Sequence, residues 1–336
     1  MKNTEFIISS GLDSEDLEER VDADTDVELR HLVFGEAQHG LRLDRALVEL
    51  VPEFSRSYLQ QLIDLAGVVI NQSVVRKPSA RINAGDIGVI ELRPTPQSQA
   101  FKPEAMALAI EYEDEHLMVI NKPAGLVVHP APGNWSGTLL NGLLAHDEKA
   151  MNLPRAGIVH RLDKDTSGLM VVARTRPVMD ALVRLIAARE VSRQYLALAH
   201  KRWVGGRSCE VNAPIGRDPR NRLRMAVVDL DKNSGKSAKT DFELLQNCEQ
   251  GCLVLCTLHT GRTHQIRVHM ASIDHPLVAD MLYAGAIAAG MQRQALHARR
   301  LAFIHPVTHQ PMVFESRLPD DFERALSEWG LSYNPT

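Results

Sequence analysis

The chain has 336 residues, of which 44% are hydrophobic, 24% charged and 5% aromatic. This composition is typical of a globular protein with room for about two domains. The 38 Lys and Arg residues against 42 Asp and Glu give a net charge of −4, which excludes a polybasic tail protein and argues against the usual basic nucleic-acid binder. No apolar run indicates a signal peptide or a membrane span.

The acidic character is concentrated at the N-terminus. Residues 1–29 contain ten acidic and two basic residues, which leaves 36 bases and 32 acids in residues 30–336. The remainder of the chain is therefore mildly basic. A segment this rich in charge buries too little apolar surface to offset its chain entropy, so we predict an acidic, disordered leader over residues 1–39.

The cysteines indicate a reducing compartment and no metal site. Cys209, Cys248, Cys252 and Cys256 form no C-x-x-C pair, so we expect a reduced, cytoplasmic protein. The last three recur every four residues, as ligands on a helix would. The apolar run 253–258 instead predicts a strand with buried thiols, and no metal ion or other cofactor is expected.

Turn residues divide the chain into two folded regions. Residues 40–92 predict a compact module of two short helices followed by a hairpin-like β unit, and three prolines indicate a linker at 93–105. The larger region, 106–325, mixes strands and helices, which favours an α+β fold over a doubly wound one. Its clearest predicted elements are strands at 117–120, 168–173 and 253–258, and helices at 177–188 and 263–272.

The densest polar cluster is His160-Arg161-Leu162-Asp163-Lys164-Asp165-Thr166-Ser167-Gly168. It directly precedes a buried strand, and loops at strand ends are frequent places for catalytic groups. In an extended stretch Asp163 and Asp165 would face the same way. The alternative interpretation is an ordinary turn stabilised by local hydrogen bonds from Asp, Ser and Thr side chains.

A second cluster spans residues 260–269. Gly261 suits a sharp turn, and Thr263 is a possible helix cap. Arg262 and Arg267 are candidates for pairing with a carboxylate or a phosphate. His264 and His269 are five residues apart, which does not fit the i, i+4 spacing of a helical metal pair. An exposed basic helix is the alternative.

Two shorter segments complete the candidate site. Lys122 lies where a predicted strand ends in a Pro/Gly turn. Tyr195, in the polar context Ser192-Arg193-Gln194-Tyr195, is either a stacking platform for a base or a half-buried strand tyrosine.

These segments together resemble the RluA/RluD-type RNA pseudouridine synthases. The run from His160 to Gly168 is similar to the family signature, and Lys122-x-x-Gly125, residues 260–270 and Leu296-His297-Ala298 follow in the family's order. Residues 154–159 are most similar to the branch that acts on the large ribosomal subunit. The resemblance implies a mixed, mainly antiparallel sheet in the catalytic domain of 106–325 and isomerisation of uridine to pseudouridine without metal or cofactor.

The resemblance also implies residue roles. Asp163 matches the catalytic aspartate, Tyr195 a tyrosine that stacks on the flipped base, and Arg267 an arginine that pairs with the aspartate. Arg161 matches an arginine that fills the space of the flipped base. Lys122 is expected to be structural or RNA-facing, and Arg262 and His264 to contact RNA.

Residues 40–92 resemble a small α/β S4 RNA-binding domain, through Arg42-Leu43-Asp44, Ser55-Arg56-Ser57, Val69-Ile70-Asn71 and Gly85-Asp86. This implies phosphate contacts from six basic side chains: Arg42, Arg45, Arg56, Arg76, Lys77 and Arg81. S4 domains usually carry Gly where this chain has Ala66 and Gln72, both beside the expected β-turn.

The sequence therefore predicts a monomeric, cytoplasmic pseudouridine synthase acting on 23S rRNA or a precursor of the large subunit, with the helix 69 stem-loop as expected target. Three alternatives are the same chemistry at another rRNA or tRNA uridine, a catalytically idle RNA-binding ribosome-assembly factor, and a glycoside hydrolase. The last would need a second carboxylate as general acid, for which Asp165 is the only near candidate.

Overall fold

The computed structural model describes residues 28–92, 98–131, 134–221 and 224–334. The chain divides into two compact units at residues 99 and 100. The described residues contain six α-helices and mainly antiparallel strands. None of the helices in those ranges has the length and apolar character that crossing a bilayer would require.

The first unit packs two helices on a four-stranded antiparallel sheet. The strands are β1 (Glu28–Val33), β2 (Val68–Ile70), β3 (Ser73–Val74) and β4 (Ile87–Leu92), in the order β1-β4-β2-β3. The helices are α1 (Leu43–Leu50) and α2 (Arg56–Asp64), and the Ser55 hydroxyl accepts from the Tyr58 amide as the predicted N-cap. Leucines and isoleucines at helical spacing pack around Phe34, which is fully buried.

Strand β1 corrects the predicted extent of the leader. Its six residues pair in register with β4, from Glu28 against Leu92 to Val33 against Ile87. The disorder predicted for 1–39 therefore does not extend to residues 28–39, and residues 1–27 lie outside the described residues. The side chains of β1 alternate between the two faces of the sheet, as in a strand with one buried face. Leu32 faces the core, while Leu29 and Val33 remain exposed. Residues 93–97 of the predicted linker also lie outside the description.

Two non-glycine residues adopt the left-handed conformation that the S4-like pattern usually assigns to glycine. Ala66 has φ 64° and follows α2, where the amides of Ala66 and Gly67 bond to the carbonyls of Ile63 and Leu62. These two bonds form the Schellman ending of a helix. Gln72 has φ 66° after Asn71 at 48°, as a two-residue hairpin turn between β2 and β3 requires. The turn geometry is kept at a cost in backbone strain.

The second unit is built on a nine-stranded sheet. Its order is β5-β6-β7-β15-β8-β14-β13-β9, with β16 pairing on β15, and only the β7–β15 pair is parallel. The strands are β5 (Ile110–Glu113), β6 (Leu117–Lys122), β7 (Ser167–Ala173), β8 (Ser192–His200), β9 (Ser208–Asn212), β13 (Lys239–Asn247), β14 (Gly251–Leu258), β15 (Leu296–Ile304) and β16 (Pro311–Glu315). A separate three-stranded sheet has the order β11-β10-β12 and contains β10 (Ile215–Arg217), β11 (Met225–Val227) and β12 (Gly235–Lys236).

Helices cover both faces of the large sheet. These are α3 (Leu139–His146), α4 (Arg176–Ala188), α5 (Gln265–Ser272) and α6 (Asp320–Glu328). In β6, Met118 and Ile120 pack with α3, whereas Leu117 and Val119 pack with α4. Burial on two faces explains why β7 is apolar from Gly168 to Ala173, after the buried Ser167. Cys252 and Cys256 are buried in β14, which confirms the strand interpretation of that segment.

We predict that Ala66→Gly and Gln72→Gly each stabilise the first unit by about 1 kcal/mol, because glycine adopts positive φ without a Cβ penalty. Native-state hydrogen exchange of the buried amides of α2 and β2 measures this in the full chain. Ala80→Gly is the matched control, because Ala80 has no positive φ and glycine there should leave protection unchanged or lower it. Faster exchange in either test variant would contradict the strain at these turns.

Candidate active site

A buried lysine, Lys122, fixes the polar loop of residues 160–166 that precedes β7. The Lys122 ammonium, which has no exposed surface, donates to the carbonyls of Pro123, Leu126 and Lys164 at 2.8, 2.9 and 2.9 Å. Burial lowers the pKa of Lys122 to about 7, against the opposing charges of Asp165 and Asp163. The lysine therefore ties the strand end at β6 to the loop that carries Asp163.

The same loop is held on its other side by residues next to β15. Arg293 Nη1 donates to the Asp165 carbonyl at 2.9 Å, and the Gln294 amide donates to Thr166 Oγ1 at 3.3 Å. Ser167 Oγ is hydrogen-bonded to His297 Nδ1 at 2.9 Å in the interior. These contacts position the loop through its backbone and hydroxyls and leave the Asp163 carboxylate available.

Asp163 shares a buried guanidinium with a second carboxylate. Arg267 Nη1 donates to Asp163 Oδ2 at 3.1 Å, while Nε and Nη2 of Arg267 donate to the two oxygens of Asp280 at 2.7 and 2.8 Å. Burial disfavours the charge of Arg267, but the hydrogen bonds and charge of Asp280, followed by those of Asp163, raise the pKa of Arg267. Asp280 thus fixes Arg267, and Arg267 orients Asp163.

His264 and Tyr283 complete the surroundings of Asp163. His264 Nδ1 is hydrogen-bonded to the Tyr283 hydroxyl at 2.8 Å, and its Nε2 lies 3.9 Å from Asp163 Oδ1. Burial lowers the pKa of His264, so the imidazole is neutral at physiological pH. The Arg267 guanidinium also lies over the Tyr283 ring, 5.0 Å from its centroid. The residue at the N-cap position of α5 is His264, which has φ 56°. The interpretation of Thr263 as a possible helix cap is therefore wrong.

Tyr195 reaches the same place from the middle of the sheet. Gly168 of β7, Ala298 of β15, Tyr195 of β8 and Cys256 of β14 are successive partners across four strands. Gly168 has φ 115°, and a Cβ there would lie 2.2 Å from the Ala298 carbonyl oxygen, so only glycine permits this approach. Burial raises the pKa of the Tyr195 hydroxyl to about 12, which keeps the ring neutral.

Asp163, Tyr195 and Arg267 line one cleft of about 780 Å³. Among the described residues that line it there are six arginines and a single acidic residue, Asp163. Asp165 does not line the cleft. Residues 164 and 165 form a turn, so the extended stretch in which Asp163 and Asp165 would face the same way is not present. Within the described ranges, no group of three or more His, Cys, Asp or Glu side chains is arranged to hold a metal ion.

The cleft contains most of the side chains expected to contact RNA near the reaction. Arg161 is exposed at its edge, and Arg262 and His264 line its wall. Lys122 does not line it. Of the two roles expected for Lys122, structural or RNA-facing, the geometry supports the structural one, because an ammonium without exposed surface and with three carbonyl partners has no donor left for a phosphate.

The six basic residues expected to contact phosphate in the first unit fall into two groups. Arg42 and Arg56 both donate to the fully buried Asp44 carboxylate, with Gln60 as a third donor. Burial raises the pKa of Asp44, but the bonds from Arg42, Arg56 and Gln60 outweigh it and lower the pKa overall.

The other four of these six side chains are exposed to solvent. Arg45, Arg76 and Lys77 are exposed and form no ion pair within the described part of the chain. Arg81 is exposed and donates to the Gly40 carbonyl. The side chains of Arg42 and Arg56 are also 43% and 53% exposed, but both are paired with Asp44. The four side chains without a carboxylate partner among the described residues are therefore the better candidates for phosphate contacts.

The sequence interpretation missed Asp280, Tyr283, Arg193 and Arg293. Asp280 follows the apolar run Leu277-Val278-Ala279, which is too weak a signal to identify a partner of Arg267. Arg193 had a usable signal, because residues two apart in a strand share a face and Arg193 lies two residues before Tyr195.

We predict that Lys122→Met destabilises the protein by about 3 kcal/mol, because three buried carbonyls lose their donor. Urea unfolding measures the loss, and the affinity of the folded variant for RNA should change less than about twofold because the side chain touches no ligand. Lys149→Met, at an exposed lysine of the same unit, should alter neither quantity. Weakened RNA binding at unchanged stability would return Lys122 to the RNA-facing alternative.

Comparison with known families agrees with this geometry. Residues 116–272 match the family model of RNA pseudouridylate synthase, and residues 41–87 match that of the S4 domain. In structure, the chain is similar to human RNA pseudouridylate synthase domain containing 1, with a TM-score of 0.52 and 26% identity, over 68% of this chain and 90% of that one.

Curated relatives cover most of both chains. Proteins named ribosomal large subunit pseudouridine synthase D are 46% identical in Neisseria meningitidis serogroup B, over 86% of this chain and 78% of theirs, and 46% identical in Xylella fastidiosa, over 86% and 88%. One from Xanthomonas campestris is 43% identical over 90% and 93%. The chain therefore belongs to the RNA pseudouridine synthase family, as an isomerase of the RluA/RluD type with an N-terminal S4 domain.

Proposed function

We propose that this enzyme isomerises uridine to pseudouridine in 23S rRNA of the large ribosomal subunit or its precursor, and that the helix 69 stem-loop is its target. The names of the relatives support the rRNA substrate. The observation that carries the proposed chemistry is the arrangement in the cleft, where Asp163 is the one acidic residue among the described lining residues and Arg267 holds it.

The reaction requires a flipped base. A stacked uridine must leave the helix before its glycosidic bond is accessible, and the space it vacates needs a substitute. In this proposal Arg161, exposed at the edge of the cleft, fills that space, and the uracil stacks on the Tyr195 ring. A buried, neutral phenol with a high pKa suits a stacking role better than a proton-transfer role.

Asp163 acts at the sugar. The N1–C1′ bond breaks, the uracil turns, C5 bonds to C1′, and the proton lost from C5 is balanced by one gained at N1. Breaking the glycosidic bond leaves C1′ electron-poor, and a carboxylate attacks or stabilises that centre or assists loss of a sugar proton. Arg267 positions the carboxylate for each of these options, and the isomerisation balances without an oxidant, reductant or added water.

The cleft disfavours the alternative functions. A glycoside hydrolase needs a second carboxylate as general acid, and Asp280 is not available because it is buried and bonded twice to Arg267. An idle RNA-binding factor has no need for the Asp163–Arg267–Asp280 network at the base of an open cleft. The same chemistry at another rRNA or tRNA uridine is the second candidate, and the family membership supports it equally.

A monomer working in the cytoplasm is part of the proposal. All four cysteines are unpaired thiols, and two of them are buried in β14, which is consistent with a reducing compartment.

Pseudouridine mapping of total RNA tests the proposal directly. Cells lacking the protein should lose pseudouridine at one or more 23S rRNA positions, and the wild-type gene should restore it. Asp163→Asn should not restore it, while binding RNA within about threefold of wild type, since the fold does not depend on this carboxylate: Arg267 keeps both bonds to Asp280.

Asp165→Asn is the matched control, two residues away in the same loop. Its side chain does not line the cleft, so the variant should restore the modification. Restoration by Asp163→Asn would contradict the chemistry, and loss of pseudouridine only from tRNA would contradict the rRNA target.

The S4 domain should supply phosphate contacts. Changing Arg45, Arg76 and Lys77 together to Gln should make RNA affinity less dependent on salt. The negative slope of log affinity against log salt should become shallower by about 2, because each lost phosphate contact removes roughly 0.7–0.9. The turnover rate at saturating RNA should stay unchanged. Arg207→Gln with Lys232→Gln, exposed and ion-paired in the second unit, is the control. An unchanged slope in the triple variant would show that the S4 domain does not bind RNA through these residues.

A further inference from the structure

Arg193 is a buried cation without a counter-charge. Its relative exposure is 5%, yet within the described part of the chain no carboxylate forms an ion pair with it. Its Nε is buried and has no hydrogen-bond partner among the described residues. A guanidinium removed from water without partners is costly, so such residues are rare unless they bind something.

The side chain is directed into the cleft that contains Asp163. Arg193 lines the cleft together with Tyr195, which shares its face of β8 two residues, or about 7 Å, further along the strand. Its charge lowers the pKa of both Tyr195 and His160 in part, so the guanidinium lies near both side chains. His160 adds no second positive charge beside Arg193, because burial, followed by the charge of Arg193, lowers the pKa of His160 to about 3 and keeps the imidazole neutral.

The wall opposite Arg193 leaves room for the guanidinium. A Cβ at Gly261 would lie 2.9 Å from Arg193 Nη1, so a larger residue in the turn before α5 would displace the arginine. The described lining residues add positive charge from Arg161 and Arg262, and the one acidic side chain, Asp163, is already bonded to Arg267. This environment attracts an anion and offers Arg193 no partner from the protein.

We propose that Arg193 binds a backbone phosphate next to the uridine whose base stacks on Tyr195. The inference rests on the proposed function and deepens it by naming the group that docks the flipped nucleotide. A guanidinium matches phosphate geometry with two parallel hydrogen bonds. The spacing of Arg193 and Tyr195 along β8 lies within the span of one nucleotide. The phosphate thus supplies the counter-charge that the described residues do not provide.

Binding of uridine and uridine 3′,5′-bisphosphate to the full-length protein tests the contact. The wild type should bind the bisphosphate at least about tenfold more tightly than uridine, because charge-assisted bonds to phosphate are strong. Arg193→Gln should lose most of this preference and keep its affinity for uridine, and Arg193→Lys should keep part of the preference. Arg207→Gln, exposed and paired with Glu243 outside the cleft, should behave as wild type.

Two results would overturn the contact. One is an unchanged phosphate preference in Arg193→Gln. The other is an equal loss of affinity for uridine and its bisphosphate, which would mean that Arg193 binds the base.

Stability separates a binding role from a structural one. Removing an uncompensated buried charge should leave the melting temperature of Arg193→Gln unchanged or raise it. A fall in the melting temperature shared by Arg193→Lys would show that Arg193 supports the fold and would overturn the proposal.

RNA itself distinguishes a backbone phosphate from free phosphate. With a 23S rRNA transcript, Arg193→Gln should lower the salt slope of binding by about 0.7–0.9, the value for one contact. An unchanged slope would overturn the assignment to RNA. A wild type that forms no pseudouridine in rRNA but shows the Arg193-dependent preference would contradict the proposed function alone.

Discussion

The guanidinium of Arg267 lies between two carboxylates, and the geometry of the cleft depends on this arrangement. Its side chain is 8% exposed, and it bonds to Asp280 through two nitrogens and to Asp163 through the third. Breaking such a buried pair by removing one partner typically costs about 3–5 kcal/mol, because an unpaired charge remains in the interior. The two carboxylates have different roles. Asp280 compensates the buried charge of Arg267, whereas Asp163 is oriented by Arg267 and its side chain remains accessible, with 15% exposure.

The loop that carries Asp163 is positioned by groups that are themselves not available to a substrate. Lys122 and Arg293 hold its backbone carbonyls from two sides, and Gly168 lets β7 approach β15 directly behind it. A rigid support of this kind fixes a reacting group to within a fraction of an ångström, which catalysis requires. It also explains why two basic residues near Asp163 are structural, whereas Arg161 and Arg193 face the cleft.

Net charge and local charge differ in this protein because the acidic residues are distributed unevenly. The whole chain carries −4, yet ten acidic residues lie in residues 1–29, and the described cleft is lined by six arginines against one aspartate. An enzyme that recognises a folded RNA element needs positive charge at the contact surface rather than over the whole molecule. Arg193, which is buried and has no ion pair among the described residues, follows the same principle. Its uncompensated charge destabilises the RNA-free protein, and in the proposed complex the phosphate compensates that charge.

The sequence by itself determined the order of elements and the α+β class, because strand alternation and turn residues are local. The family and the residues of the signature followed from motifs around Asp163, Tyr195 and Arg267 that resemble those of a known family in the same order along the chain. It also located the departures at Ala66 and Gln72. Only the tertiary structure decided which charges are paired. Asp280 carries no distinctive local pattern, and the alternation that places Arg193 on the strand face of Tyr195 does not show whether Arg193 is paired. Lys122 was open between a structural and an RNA-facing role, and β1 orders only by pairing with β4. Burial and pairing depend on residues brought together from distant parts of the chain, and a local pattern does not encode them.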